Sequence, residues 1–310
     1  MQAFHRTSSA YENARAGDRR VPLKTTKKDT AEALTLEWVL HVQTYKLTLD
    51  KKRCVGCQLC SLACPKEAIR AEKQSKVKDQ KATKARIDFD LSKCNFCGIC
   101  DVLCPYGALK VTVNGQHLLS VVDKKSFPEL IRNVKMDTSK FPNDNKESEK
   151  ACPLNLIKVL GRDVELDLEH CPCCRVCESR LPHGAMQVHK FMNGKITIHK
   201  DRCPEGCTDC IDVCPIDGAL RLSADGKKVE VNESFCVYCG ACKIVCPVDE
   251  ALELERTHIE HTPVRSGAWN KALERLASPV AVTKELKTKG SLKAMESVRK
   301  RVGLKEDRDA

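Results

Sequence analysis

Aromatic residues are scarce in this chain: Phe, Tyr and Trp together make up 4% of its 310 residues. Long apolar runs are missing too. No segment approaches the ~18 consecutive apolar residues of a membrane-spanning helix, and residues 1–33 hold no apolar stretch of signal-peptide length. These absences predict a cytoplasmic protein with no membrane span. The apolar fraction of 42% is itself inflated, because it counts 21 cysteines. Without them about 109 of some 130 apolar residues remain, roughly 35% of the chain. A core that thin calls for staples, either disulfides or metal sites. In a reducing cytosol, cysteine at this density points to metal ligation.

What is present is a repeat. Three closely spaced cysteines followed by Cys-Pro occur four times intact: Cys54, Cys57, Cys60, Cys64-Pro65; Cys94, Cys97, Cys100, Cys104-Pro105; Cys203, Cys207, Cys210, Cys214-Pro215; and Cys236, Cys239, Cys242, Cys246-Pro247. Each copy ends on a small apolar step: Ala68-Ile69, Ala108-Leu109, Ala219-Leu220 or Ala251-Leu252. This is the bacterial-type ferredoxin run C-x2-C-x2-C-x3-C-P, with one extra residue after Cys203. Three thiolates on a short loop reach three corners of a cubane, and the fourth arrives from elsewhere. In two-cluster modules the fourth cysteine of each half serves the other half's cluster. The crossed rule assigns Cys54, Cys57, Cys60 and Cys104 to one [4Fe–4S] cluster and Cys94, Cys97, Cys100 and Cys64 to its neighbour. It likewise groups Cys203, Cys207, Cys210 and Cys246, and Cys236, Cys239, Cys242 and Cys214. Proline after the fourth cysteine turns the chain away from the site. Gly56, Gly98 and Gly240 permit tight loops whose amides are free to face the sulfurs.

A degenerate copy lies between the intact pairs. Its second half reads Cys171, Cys174, Cys177, then Leu181-Pro182 where Cys-Pro is expected; its first half reads Phe141-Pro142, Asn145, Ser148, then Cys152-Pro153. Under the crossed rule Phe141, Asn145, Ser148 and Leu181 are the four positions of one lost cluster. Cys152, Cys171, Cys174 and Cys177 are the four of a retained one. The expectation is five [4Fe–4S] clusters on 20 cysteines, with Cys173 left over as a buried free thiol. His170, His183 and His189 flank this site and are expected at the surface or in hydrogen bonds.

The net charge of +11 suggests nucleic acid until the clusters are counted. Each oxidised cluster with its four thiolates carries about −2, so five bring the total to about +1. No nucleic-acid role is expected. A zinc-binding structural protein would use paired C-x2-C knuckles, each closing its own tetrahedral site; the third cysteine and the Cys-Pro ending argue against it. No acid, base or nucleophile is arranged for catalysis, so the chain reads as an electron carrier and not an enzyme.

The fold class expected is α+β, a polyferredoxin of tandem bacterial-type two-[4Fe–4S] modules with a helical C-terminal tail. The divisions are an N-terminal extension (1–44), a two-cluster module (45–115), a degenerate one-cluster module (116–195), a second two-cluster module (196–256) and a basic helical tail (257–310). Residues 1–30 read as poorly ordered or partner-bound, and alternation around Val39 to Leu49 reads as strands. The lysine-rich run from Lys73 to Lys84 reads as a solvated insertion, and residues 111–140 as a bridge between modules. In the tail, Trp269, Ala272, Leu273 and Leu276 are spaced for one helix, Ser278-Pro279 opens a second, and a third runs from Ser291 toward Val302. These helices are expected to cap the last module or to dock on a larger complex.

The six half-modules over about 45–255, with Cys203-Pro-Glu-Gly-Cys207-Thr-Asp-Cys210 and Ser266-Gly267-Ala268-Trp269-Asn270 in the tail, resemble the polyferredoxin subunits of archaeal formylmethanofuran dehydrogenases. The resemblance implies a tungsten- or molybdenum-dependent complex that interconverts CO2 and formylmethanofuran, with this chain relaying low-potential electrons. Partners it implies are a pterin-dependent catalytic subunit, soluble ferredoxin, and a heterodisulfide reductase or hydrogenase. The chain departs from the family in showing three modules, one half empty, where members carry four. A polyferredoxin subunit of a hydrogenase or heterodisulfide reductase complex would share every cluster ligand, and remains the alternative.

Overall fold

The computed structural model describes residues 22–76, 80–142, 145–160, 163–264 and 266–287. Alternating apolar residues build its N-terminal sheet. Strands β1 (Lys24–Asp29), β2 (Ala33–Val39) and β3 (Thr44–Asp50) run antiparallel in sequence order. Leu34 faces Leu49 and Leu36 faces Leu47, and all four are buried, as a period of two requires when one face covers a core. The expectation of disorder over residues 1–30 is corrected where the structure describes them. Residues 24–29 form the sheet's edge, with their largely exposed lysines limiting further pairing; residues 1–21 lie outside the described residues. Lys27 fastens this edge by donating to the Phe89 carbonyl at 2.7 Å and pairing with Asp88 at 2.8 Å. The sheet thereby joins the expected N-terminal extension to the first module.

That module continues with α1 (Leu59–Ala63), β4 (Ile69–Glu72), β5 (Arg86–Phe89), α2 (Ile99–Val102) and β6 (Leu109–Val113). β6 returns beside β3, and β4 pairs with β5 as an inner hairpin. After a short helix α3 (Ser120–Asp123), the middle segment runs β7 (Asn133–Met136), α4 (Asn145–Lys150), β8 (Ile157–Leu160), β9 (Asp163–Leu166), α5 (Val176–Arg180) and β10 (Met186–His189). The last comprises β11 (Met192–Ile198), α6 (Asp209–Asp212), β12 (Leu220–Leu222), β13 (Val229–Val231), α7 (Ala241–Val245) and β14 (Leu252–Ile259). In both, the outer strands pair with each other and the inner strands form a hairpin. The middle segment, despite its missing cysteines, keeps the topology of its neighbours.

The modules share a core. One apolar cluster takes in Leu59 and Ile99 from the first, Val176 and Met186 from the middle, and Val237 and Ala241 from the last. The lysine-rich insertion departs from its expected role. Its side chains are mostly exposed, but Lys73 donates to the Cys246 carbonyl at 2.7 Å, Lys76 pairs with Asp209, and the Ala82 amide donates to the Asp212 carboxylate at 3.1 Å. Basic residues find the acidic α6 and strap the first module to the last.

Helix α8 (Gly267–Leu276) opens with Ser266, whose Oγ accepts from the Ala268 amide at 3.1 Å. It packs on α1 of the first module and also meets the last, whose Arg256 donates to the Leu276 carbonyl at 3.0 Å. Trp269 is fully buried, edge-on to Phe127 at 5.3 Å and to His261 at 4.6 Å. Residues 279–287 are helical, with the Ser278 Oγ accepting from the Ala281 amide at 3.3 Å. The third expected helix, from Ser291, lies outside the described residues.

Candidate metal centres

Each cysteine loop is bent by one repeated device. The residue before the second cysteine has a positive φ in every copy: Gly56 (69°), Phe96 (55°), Cys173 (55°), Gly206 (67°) and Tyr238 (51°). The residue after that cysteine repeats the turn at Gln58, Gly98, Arg175 and Gly240, and a short helix starts there. Only Thr208, which follows the loop with the extra residue, leaves the pattern, at φ −115°. Glycine is required at position 56, where a Cβ would lie 2.6 Å from the Ala85 carbonyl oxygen. Successive left-handed turns point backbone amides inward. The Tyr238 amide donates to Cys236 Sγ at 3.4 Å; Ala68, Ala108 and Leu156 amides donate to Cys64, Cys104 and Cys152 Sγ at 3.4, 3.2 and 3.4 Å.

Cysteines from separate half-modules lie within electrostatic reach of one another. Cys60 lies within electrostatic reach of Cys54, Cys57 and Cys104, and Cys100 of Cys94, Cys97 and Cys64. Cys177 is grouped with Cys152, Cys171 and Cys174, Cys210 with Cys203, Cys207 and Cys246, and Cys242 with Cys214, Cys236 and Cys239. Within the outer modules the two groups adjoin, through Cys60 and Cys100 in one and Cys210 and Cys242 in the other.

These sites suit a cationic iron core. Burial pushes the thiols of Cys94, Cys174 and Cys236 up to about 11, and those of Cys177, Cys210 and Cys214 up to about 12. Such thiols become thiolates only when a metal offsets the charge. The first group also walls a cavity with Cys54, Cys57, Cys60 and Cys104. Among the described residues, no three His, Cys, Asp or Glu side chains converge as they would on a single ion.

Cys173 is explained by the loop device. It takes the turn position held elsewhere by glycine or an aromatic residue, is fully buried, and directs its S–H toward Cys171. That contact holds the Cys171 thiol below its usual range. His170 is half-buried and bonded through Nδ1 to Asp167 at 2.6 Å, while His183 and His189 are exposed. Of the four positions without cysteine, Leu181 is buried, Phe141 packs against the shared apolar cluster, and Ser148 is buried with no partner for its Oγ among the described residues. Asn145 starts α4.

Four residues outside the cysteine motifs bond or face the cysteine loops. Arg132 donates to the Cys171 carbonyl at 3.1 Å and the Cys104 carbonyl at 3.0 Å. Lys190 donates to the Cys236 carbonyl at 2.8 Å and sits 5.2 Å from the Tyr238 ring centre. Arg256 is buried, and its fork bonds the carbonyls of Tyr238 at 2.8 Å, Cys239 at 2.9 Å and Leu276 at 3.0 Å. Burial works against its charge, while the thiolates of Cys239 and Cys57 favour it. Buried Tyr106 faces Cys239, Cys57 and Cys214, and burial pushes its phenol up.

Residues 53–108 and 195–247 each match a 4Fe-4S dicluster domain. No curated protein matches the sequence. Among solved structures, the chain is similar to a chain of the formate dehydrogenase–heterodisulfide reductase–formylmethanofuran dehydrogenase complex from Methanospirillum hungatei. The TM-score is 0.73 with 28% sequence identity, covering 83% of this chain and 92% of that one. The protein thus carries two 4Fe-4S dicluster domains and several [4Fe–4S] clusters, and its role is iron–sulfur electron transfer. Among the described residues no helix is long and apolar enough to cross a membrane.

Proposed function

We propose that this chain is the polyferredoxin subunit of a complex containing formylmethanofuran dehydrogenase, relaying electrons to or from its pterin-dependent catalytic subunit. The observation that carries this reading is the similarity to one chain of the Methanospirillum hungatei complex over 83% of this chain and 92% of that one. Five clusters are assigned to the five cysteine groups, one each, with the position of Phe141, Asn145, Ser148 and Leu181 left without one. The working division is two complete modules flanking one half-empty module. When bound, each cluster supplies a one-electron carrier of low potential. The chain's own part is to hold four thiolates per site, aim backbone amides at the sulfurs, and exclude water with the shared apolar core.

The test is anaerobic purification from cells, with iron, acid-labile sulfide, tungsten and molybdenum measured on the same sample. About twenty iron atoms per chain together with a tungsten- or molybdenum-containing partner are expected. Co-purification with a nickel hydrogenase and no pterin enzyme would refute the assignment of complex. A second reading, service to heterodisulfide reductase, is favoured by the presence of that enzyme in the name of the similar complex. Reduction of heterodisulfide by the purified assembly would distinguish it.

A further inference from the structure

Three cations outside the cysteine motifs stand at three different junctions. Arg132 bridges the first and middle modules, because its guanidinium holds the Cys104 and Cys171 carbonyls together. Lys190 belongs to the middle module and reaches the Cys236 carbonyl of the last; it also lies within electrostatic reach of Cys174. Arg256 belongs to the last module and closes the circuit back to the first. It faces the first module across a cavity that Arg256, Cys57, Gln58 and Gly240 line together, within electrostatic reach of Cys57. Tyr106 fills the same seam between Cys57 and Cys239. Arg132 bonds the loops of two cysteine groups, while Lys190 and Arg256 each bond the loop of one and lie within electrostatic reach of a second; the three junctions involve three groups.

We infer that Arg132, Lys190 and Arg256 tie the groups Cys54/57/60/104, Cys152/171/174/177 and Cys214/236/239/242 into a closed triangle, in which an electron on any one passes directly to either of the others. The inference rests on the proposed assignment of one cluster to each group. In each step one cluster is oxidised by one electron and its neighbour is reduced by one; no bond forms or breaks and no proton moves. A fixed cation stabilises the more negative, reduced cluster and so raises its potential. A cation lodged between two clusters raises both. Because Arg256 is buried, water and salt screen it little. The triangle also gives the chain a route between its first and last modules that does not pass through the half-empty one.

The experiment uses the full-length holoprotein. Iron is counted first, so that failure of the five-cluster assignment is seen separately as a wrong iron number. Arg132→Gln, Lys190→Gln and Arg256→Gln are then compared with the wild type by redox titration followed by electron paramagnetic resonance. Each neutral variant is expected to lower the midpoint potentials of two clusters, any two variants sharing one affected cluster, and Arg132→Lys, Lys190→Arg and Arg256→Lys are expected to restore them. A merely structural role would not yield three overlapping pairs. Unchanged potentials at full iron content, or the same pair shifted by two variants, would overturn the triangle. Wild-type protein supplies a readout independent of variant folding. The spectra of the three innermost clusters must broaden one another as electrons are added, and three sharp, non-interacting signals would also overturn it.

Discussion

Replacing Cys152 by alanine isolates the proposed crossing of ligands in the middle module. Cys152 follows α4, whereas Cys171, Cys174 and Cys177 share one loop, and the fold brings all four together. Its Sγ is fixed by the Leu156 amide at 3.4 Å and its residue is 8% exposed. Ala151, Leu156 and Ile157 around it in sequence are buried and apolar, so water has poor access to take the vacated corner. Cys173 is a poor substitute, because its backbone is committed to the loop turn and its S–H to Cys171. One of the five proposed clusters is therefore expected to be lost, with iron falling from about twenty to about sixteen atoms per chain. The visible charge-transfer absorbance drops by about a fifth in proportion. Phe141→Ala and Cys173→Ala, measured beside it, leave iron unchanged. Retention of all the iron in Cys152→Ala, or loss of about four atoms in Phe141→Ala, refutes the crossing and the half-empty site respectively.

Other substitutions test the packing behind the sites. Ser148→Ala removes a buried hydroxyl with no partner among the described residues, and is expected to stabilise the holoprotein by about 1 kcal/mol, read as a higher urea midpoint. Gly56→Ala forces a side chain into a left-handed turn against the Ala85 backbone. It costs at least ~1 kcal/mol before the clash is counted, and iron loss from the first site is the assay. Trp269→Ala empties the contact of α8 with Phe127 and His261; about 3–5 kcal/mol of destabilisation is expected, seen as earlier thermal unfolding. Chelation of iron is expected to abolish cooperative unfolding by circular dichroism, since cluster ligation substitutes for a larger core.

Local spacing made much of this chain legible. The Cys-x2-Cys-x2-Cys loops are contiguous in sequence, so their backbone turns and the identity of their sulfurs are fixed by near neighbours along the chain. The degenerate copy was legible for the same reason: Phe141, Asn145, Ser148 and Leu181 keep the motif's spacing after its chemistry has gone. The strands at Leu34, Leu36, Leu47 and Leu49 follow from their alternation, although the exposed lysines of β1 gave no apolar signal and hid the edge strand. Cys173 reads as surplus until the positive φ it shares with Gly56, Phe96 and Tyr238 assigns it a turn.

What composition and spacing determined by themselves was the cofactor class and the number of cysteine groups. The tertiary structure decided how those groups face one another. Arg132, Lys190, Tyr106 and Arg256 belong to no motif, and each acts on cysteine loops from distant parts of the chain. Lys73 and Lys76 bond partners in the last module, and α8 packs on α1 of the first. A sulfur ligand is selected by bonds to its own loop, whereas contact between modules depends on how three thin apolar faces combine into one core, and that combination has no local periodicity for a sequence to display.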